Sequence, residues 1–267
     1  MKPLIHFAHA NGVPSQVYQK LFDLLKDEYE VIYVPLLGTD KRYPIDNHWE
    51  SLTNQVIDSI VRQAKGRPVI GLGHSLGSVL TFQAALKRPE LFSQVIMLDP
   101  PLIMGKDGFA LHVAKLLKLK AVDRMSPAAL SLRRRDHWDS REQAAELLRP
   151  KGFYKDFDAD CFQAYIDYAL TEDKVLGGVE LTIPKMDEVK IFRTNPSLWW
   201  LPRKKIHLPI HMVVAEQSPF LPRRFPQMVK KKFGVPFSIT AGGHMFPLEH
   251  PVEVVKLIQQ LIQQQAK

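Results

Sequence analysis

The chain has 267 residues, 45% of them hydrophobic and 24% charged, which excludes a mainly disordered state and allows one large α/β domain or a core with an insertion. Lysine and arginine number 36 against 28 acidic residues, for a net charge of +8. The denser basic patches, Arg133-Arg134-Arg135, Arg203-Lys204-Lys205, Arg223-Arg224 and Lys230-Lys231-Lys232, lack the interleaved aromatics or motif of a nucleic-acid module, so they read as solvated faces and no nucleic-acid partner is expected; attraction of an anionic substrate to one rim is the second reading.

The apolar run Leu4-Ile5-His6-Phe7-Ala8 opens the chain on a core strand. Pro14 and Ser15 introduce a helix with Val17, Leu21, Leu24 and Leu25 at helical spacing and Ser15 available as its N-cap. Val31-Ile32-Tyr33-Val34 reads as the next strand, stopped by Pro35, and a second helix from about Asn47 carries Trp49, Leu52, Val56 and Ile60 on one face and ends near Gly66. Residues 68–73 form a short buried strand, 75–86 a helix, and 95–98 a strand closed by Asp99-Pro100-Pro101. This βαβ repetition predicts a parallel sheet. Between Pro100 and about Lys205 the strand signal fades into mostly helical, aromatic-rich sequence, read as an inserted helical cap. Phe109, Trp138, Phe157, Phe162, Tyr165, Trp199 and Trp200 are its candidates for a pocket wall. Strand signals resume at 209–214 and 236–239, and Pro251 opens a last helix carrying Val254, Ile258 and Leu261. The expected architecture is α/β, a mostly parallel sheet flanked by helices, with a core of 1–99 and 206–267 and a cap of 100–205.

Gly73-His74-Ser75-Leu76-Gly77 matches G-x-S-x-G where the pattern turns from strand to helix. A serine there sits on a sharp turn with its hydroxyl exposed at the strand's carboxyl end, among the first amides of a helix. Gly71-Leu72-Gly73 could open a dinucleotide fingerprint only with glycine at 76, which is Leu76, and no P-loop ending follows. Ser75 needs a base, and His244, in Ala241-Gly242-Gly243-His244 between the last strand and the last helix, lies at the same sheet edge. An orienting carboxylate at a strand end is also required. The loop after the strand at 210–214 holds Glu216 as its only acid, with Ser218 where an aspartate is expected; Asp99, 24 positions after Ser75, is favoured over Glu216. The loop His9-Ala10-Asn11-Gly12-Val13-Pro14 offers small residues, so the Leu76 and Asn11 amides are the candidate oxyanion donors, with His9 shaping the loop.

The segments 6–12, 73–77 and 98–100, together with the late histidine, resemble the α/β-hydrolase superfamily over nearly the full chain, and more closely a group of bacterial serine hydrolases with a helical cap. The resemblance implies the order Ser, acid, His. In some members the acid follows the strand after the nucleophile helix, which supports Asp99. Members that cleave haloalkanes or epoxides use an aspartate nucleophile, against which Ser75 argues. Two departures are the lack of the usual antiparallel strands before the first core strand and the serine at 218.

The expected function is a serine hydrolase that cleaves a carboxylic ester or thioester through an acyl-enzyme on Ser75. Alternatives are a carbon–carbon bond hydrolase or lyase with the same residues, or a binding protein on a hydrolase scaffold. The expected partner is a small acyl substrate. No cofactor or metal is expected, since His6 and His9 on one strand point to opposite faces. A single cysteine, Cys161, excludes an intrachain disulfide, and no apolar run suits a signal peptide or a membrane span. A cytoplasmic protein is expected, and the sequence specifies no oligomeric state.

Overall fold

The computed structural model describes residues 1–119, 121–124, 126–199, 201 and 207–265. Trp200 and the patch Arg203-Lys204-Lys205 lie outside the described residues. The strands are β1 (Leu4–Ala8), β2 (Glu30–Tyr33), β3 (Val69–His74), β4 (Phe92–Leu98), β5 (His137–Trp138), β6 (Leu170–Glu172), β7 (Val179–Leu181), β8 (Ile210–Ala215) and β9 (Phe237–Thr240). The helices are α1 (Gln19–Leu25), α2 (Glu50–Ala64), α3 (Leu76–Lys87), α4 (Gly105–Leu116), α5 (Ala121–Arg124), α6 (Ala128–Arg133), α7 (Arg141–Leu148), α8 (Ala159–Tyr168), α9 (Lys185–Arg193), α10 (Phe225–Phe233), α11 (Phe246–Glu249) and α12 (Pro251–Gln265).

Six strands make one sheet in the order β2-β1-β3-β4-β8-β9, and each pairing is parallel. Every residue of β1 and β3 is buried, and β4 and β8 are nearly so, as strands covered on both faces require. Alternation divides their side chains between two layers. Ile5, Phe7, Leu72, Ile96 and Leu98 join the cluster beneath α1 and α12, whereas Leu4, Ala8, Val95 and Met97 join the one beneath α2, α3 and α10. The chain places β2 on one side of β1 and β3 on the other, so strand order reverses between β1 and β3. The loops after these two strands therefore flank a crevice at their carboxyl ends.

Two local readings change. Ser15 caps no helix: a 3-10 turn, Ser15–Tyr18, follows Pro14, and the Ser15 hydroxyl donates instead to the Val34 carbonyl at 2.6 Å, tying the first turn to the end of β2. The stretch between β4 and β8 is not only helical, because β5, β7 and β6 form a small antiparallel sheet. Strands of two or three residues are too short to show a period of two. The insertion also shares the core's packing: Trp138, Phe157, Phe162 and Tyr165 lie in one cluster with Tyr18 and Leu21, and Lys20 reaches across to Asp158 at 2.7 Å. Among the described residues no helix is long and apolar enough to cross a membrane.

Candidate active site

The turn between β3 and α3 holds Ser75 at φ 52° and ψ −117°, a backbone region that costs roughly 1–3 kcal/mol for a residue with a side chain. The neighbours explain how it is held. A Cβ on Gly77 would come within 2.0 Å of the Ala8 carbonyl oxygen, and one on Gly73 within 2.4 Å of the Gly77 oxygen. Only glycine at both places lets β1, β3 and α3 pass so closely. The Ser75 amide donates to Leu98 O at 2.9 Å and the Gly77 amide to His9 O at 3.0 Å, fastening the turn to both flanking strands.

Register then delivers the other groups. His74 pairs with Leu98, and Leu98 with Val213, so Ser75 and Asp99 emerge side by side. His244 stands in the loop after β9. Its Nε2 lies 2.9 Å from Ser75 Oγ and its Nδ1 2.5 Å from Asp99 Oδ2. With Nδ1–H donating to the carboxylate, Nε2 is left to accept the serine proton. Asp99 has no exposed surface. Its Oδ1 accepts the Ala215 amide at 3.1 Å and its Oδ2 accepts the Ser218 hydroxyl at 2.8 Å. Ser218, at the position where an aspartate was expected, thus supports the acid on the neighbouring strand. Glu216 is exposed, and the imidazole it was considered for has both nitrogens engaged by Ser75 and Asp99.

The Leu76 and Asn11 amides donate to no acceptor among the described residues, and both residues line the cavity over Ser75. His9 shapes their loop: its Nε2 accepts the Leu37 amide at 2.8 Å and its Nδ1 donates to Ala10 O at 2.7 Å. Burial lowers its pKa to about 4, against the opposing effect of that carbonyl. His74 ties the loop of His244 to the core. Its Nε2 donates to His244 O at 2.8 Å, and its Nδ1 accepts the Tyr18 hydroxyl at 2.7 Å. Burial, helped by neighbouring His244, lowers the pKa of His74 to about 3, which keeps the ring neutral in this relay. Phe220 meets the His244 ring edge-on at 5.4 Å.

A cavity of about 460 Å³ opens above Ser75. Its aromatic wall is Trp49, Phe153, Tyr154, Phe192 and Phe220, not the residues expected from the sequence. Trp138, Phe157, Phe162 and Tyr165 are buried in the insertion's packing, Trp199 stacks on Phe82, and Phe109 is exposed. Aromatic density marked where the insertion packs rather than where it opens. One polar cluster interrupts the apolar wall. Arg134 Nη1 lies 2.5 Å from Glu188 Oε2, its Nη2 donates to the Tyr154 and Tyr165 hydroxyls, and Ser131 donates to Glu188 Oε1. No signal in the sequence joined residues 134 and 188, which lie on different elements of the insertion.

A parallel sheet of this strand order, with a strained serine turn after β3 and an insertion after β4, is the architecture of the α/β hydrolases. Residues 7–257 match the model of the alpha/beta hydrolase family, and the chain belongs to that family. It is 23% identical over 216 residues to the type I acyl-CoA thioesterase mpaH of Penicillium brevicompactum, covering 68% of this chain and 47% of that protein. The chain thus spans about half the length of that relative. Among solved structures, E-2-(acetamidomethylene)succinate hydrolase superposes with a TM-score of 0.76 at 19% identity, over 98% of this chain and 92% of that one. The thioesterase domain from the curacin biosynthetic pathway does so at 0.72 and 18%, over 97% and 91%.

Proposed function

We propose that the chain is a serine hydrolase that cleaves carboxylic esters or thioesters, with residues 100–205 serving as a cap on a core of 1–99 and 206–267. The observation that carries this reading is the unbroken run from Ser75 Oγ to His244 Nε2 at 2.9 Å and from His244 Nδ1 to Asp99 Oδ2 at 2.5 Å. Ser75 Oγ attacks the carbonyl carbon as its proton passes to His244, and the carbonyl electron pair moves onto oxygen. The Leu76 and Asn11 amides receive that oxyanion. Collapse expels the alkoxide or thiolate, which takes the proton from His244 and leaves an acyl group on Ser75. Water then repeats the sequence, giving its proton to His244 and restoring the serine. Asp99 stays ionised and stabilises the imidazolium in both halves.

Similarity to thioesterases supports including thioesters. The hydrogen bond from Ser218 to Asp99 supports a working acid at 99 over a binding protein on the same scaffold. The test is a panel of p-nitrophenyl esters and acyl thioesters with wild type and Ser75→Ala. Loss of turnover by about 10⁴-fold or more in the variant is expected. Turnover retained by Ser75→Ala overturns the reading.

A further inference from the structure

We propose that Arg134 binds a carboxylate of the substrate, so that the site takes esters or thioesters carrying a carboxylate a few bonds from the scissile carbonyl. This inference rests on the ester or thioester hydrolase reading above.

Arg134 is a cation on a largely apolar cavity wall, where a few polar groups set a ligand's orientation. Its partner Glu188 also lines the cavity but is the less exposed of the two. The Glu188 side chain is 7% exposed and the Arg134 side chain 22% exposed, and both Glu188 oxygens are taken up, one by Ser131 and one by Arg134. A guanidinium has five N–H donors. The bonds to Glu188, Tyr154 and Tyr165 use one proton of Nη1 and both of Nη2, which leaves a proton on Nη1 and the one on Nε without an acceptor among the described residues. Lys151, also on the cavity wall and exposed, adds a second positive charge. If the Arg134–Glu188 pair served only to join α9 to the end of α6, an apolar pair would do so without the cost of desolvating two ions.

The position of the cluster limits the length of the ligand. Gly12 has φ 74°, and a Cβ there would lie 2.7 Å from Glu188 Oε2 and 3.5 Å from Arg134 Nη1. The oxyanion loop is thus pressed against the pair with no room for a side chain. Asn11 precedes Gly12, which puts the guanidinium within roughly 10 Å of the Asn11 amide by standard backbone lengths. A chain of about four or five carbons with a carboxylate at its end bridges that gap when a hydrogen bond of about 3 Å is added at each end. A charge-assisted bond to guanidinium in a largely apolar cavity favours such a ligand over its neutral isostere.

Two arms test this on the full chain. In the first, Ser75→Ala, which cannot turn over, is titrated calorimetrically with monomethyl succinate and with dimethyl succinate. The half-ester is expected to bind at least about tenfold more tightly; equal binding, or preference for the diester, overturns the proposal. In the second, wild type is compared on p-nitrophenyl hemisuccinate and p-nitrophenyl butyrate, with butyryl glycolate as the probe that carries its carboxylate on the alcohol side. At least one charged ester is expected to exceed the neutral one about tenfold in kcat/KM, mainly through KM. That ratio is expected to fall toward one in Arg134→Met/Glu188→Gln, a pair that leaves no buried charge alone. A merely structural pair would lower all the esters together and leave the ratio unchanged, which overturns the proposal. If no ester turns over, the hydrolase reading fails, while the calorimetric arm still decides the carboxylate site.

Discussion

Asp99 holds three hydrogen bonds on two oxygens with no surface exposed, and each donor comes from a different place: β8, the loop after it and the loop after β9. Asp99→Asn is expected to lower kcat by about 10⁴-fold, because the amide cannot hold His244 in the tautomer that accepts the serine proton. Glu216→Gln is expected to remain near wild type, and steady-state kinetics on one ester compares the two directly. Ser218→Ala removes one hydrogen bond to a buried carboxylate, with an expected loss of about 1–2 kcal/mol in stability, read from denaturant midpoints. The sequence favoured Asp99 over Glu216 as a residue at an adjacent strand end, and the structure places it 2.5 Å from the His244 ring. The sequence did not reveal Ser218 as a partner, since a hydrogen bond between residues 119 positions apart leaves no pattern. The relay from Tyr18 through His74 to the His244 carbonyl was hidden for the same reason.

At the scale of elements, the tight passage of α3 beside β1 is what turns Ser75 outward. Gly77→Ala puts a methyl 2.0 Å from the Ala8 oxygen, and either the helix or β1 must shift. The expected cost is about 3 kcal/mol or more, seen as a lowered Tm, with loss of activity in whatever folds. Retention of both Tm and activity would show that the turn tolerates displacement. Most core elements were legible because their apolar runs follow a proline or end at a glycine, as at Pro68 before β3, whereas α10 was not read from the sequence. The insertion was legible as a break in that rhythm, but not in its interior: β5, β6 and β7 are too short to carry a period. Its aromatic residues could not be sorted into wall and packing without the fold.

For the whole molecule, three histidines buried within the sheet and at its edge make folding sensitive to acid. Burial lowers His6 and His74 to about 3 and His9 to about 4, from an ordinary value of 6.5. The unfolded chain therefore binds protons below about pH 6.5 that the folded chain refuses. Stability is complete above that value and falls as the pH drops toward the folded values. At pH 5 the three together are expected to remove several kcal/mol, about 2 from each. Urea unfolding at pH 7.5 and pH 5 measures this, and an unchanged midpoint would mean that these rings are charged in the fold. The same parallel order that buries them also aligns the ends of β3, β4, β8 and β9, so the site belongs to the sheet's topology as much as to its residues.

In the proposed mechanism Ser75 is the nucleophile and His244 its base. Labelling with a fluorophosphonate, followed by peptide mapping, tests it most directly. The phosphonyl group is expected on Ser75 in wild type, with no labelling in Ser75→Ala and strongly reduced labelling in His244→Ala. Modification of another residue, or hydrolysis of esters by a protein whose Ser75 stays unlabelled, would contradict it.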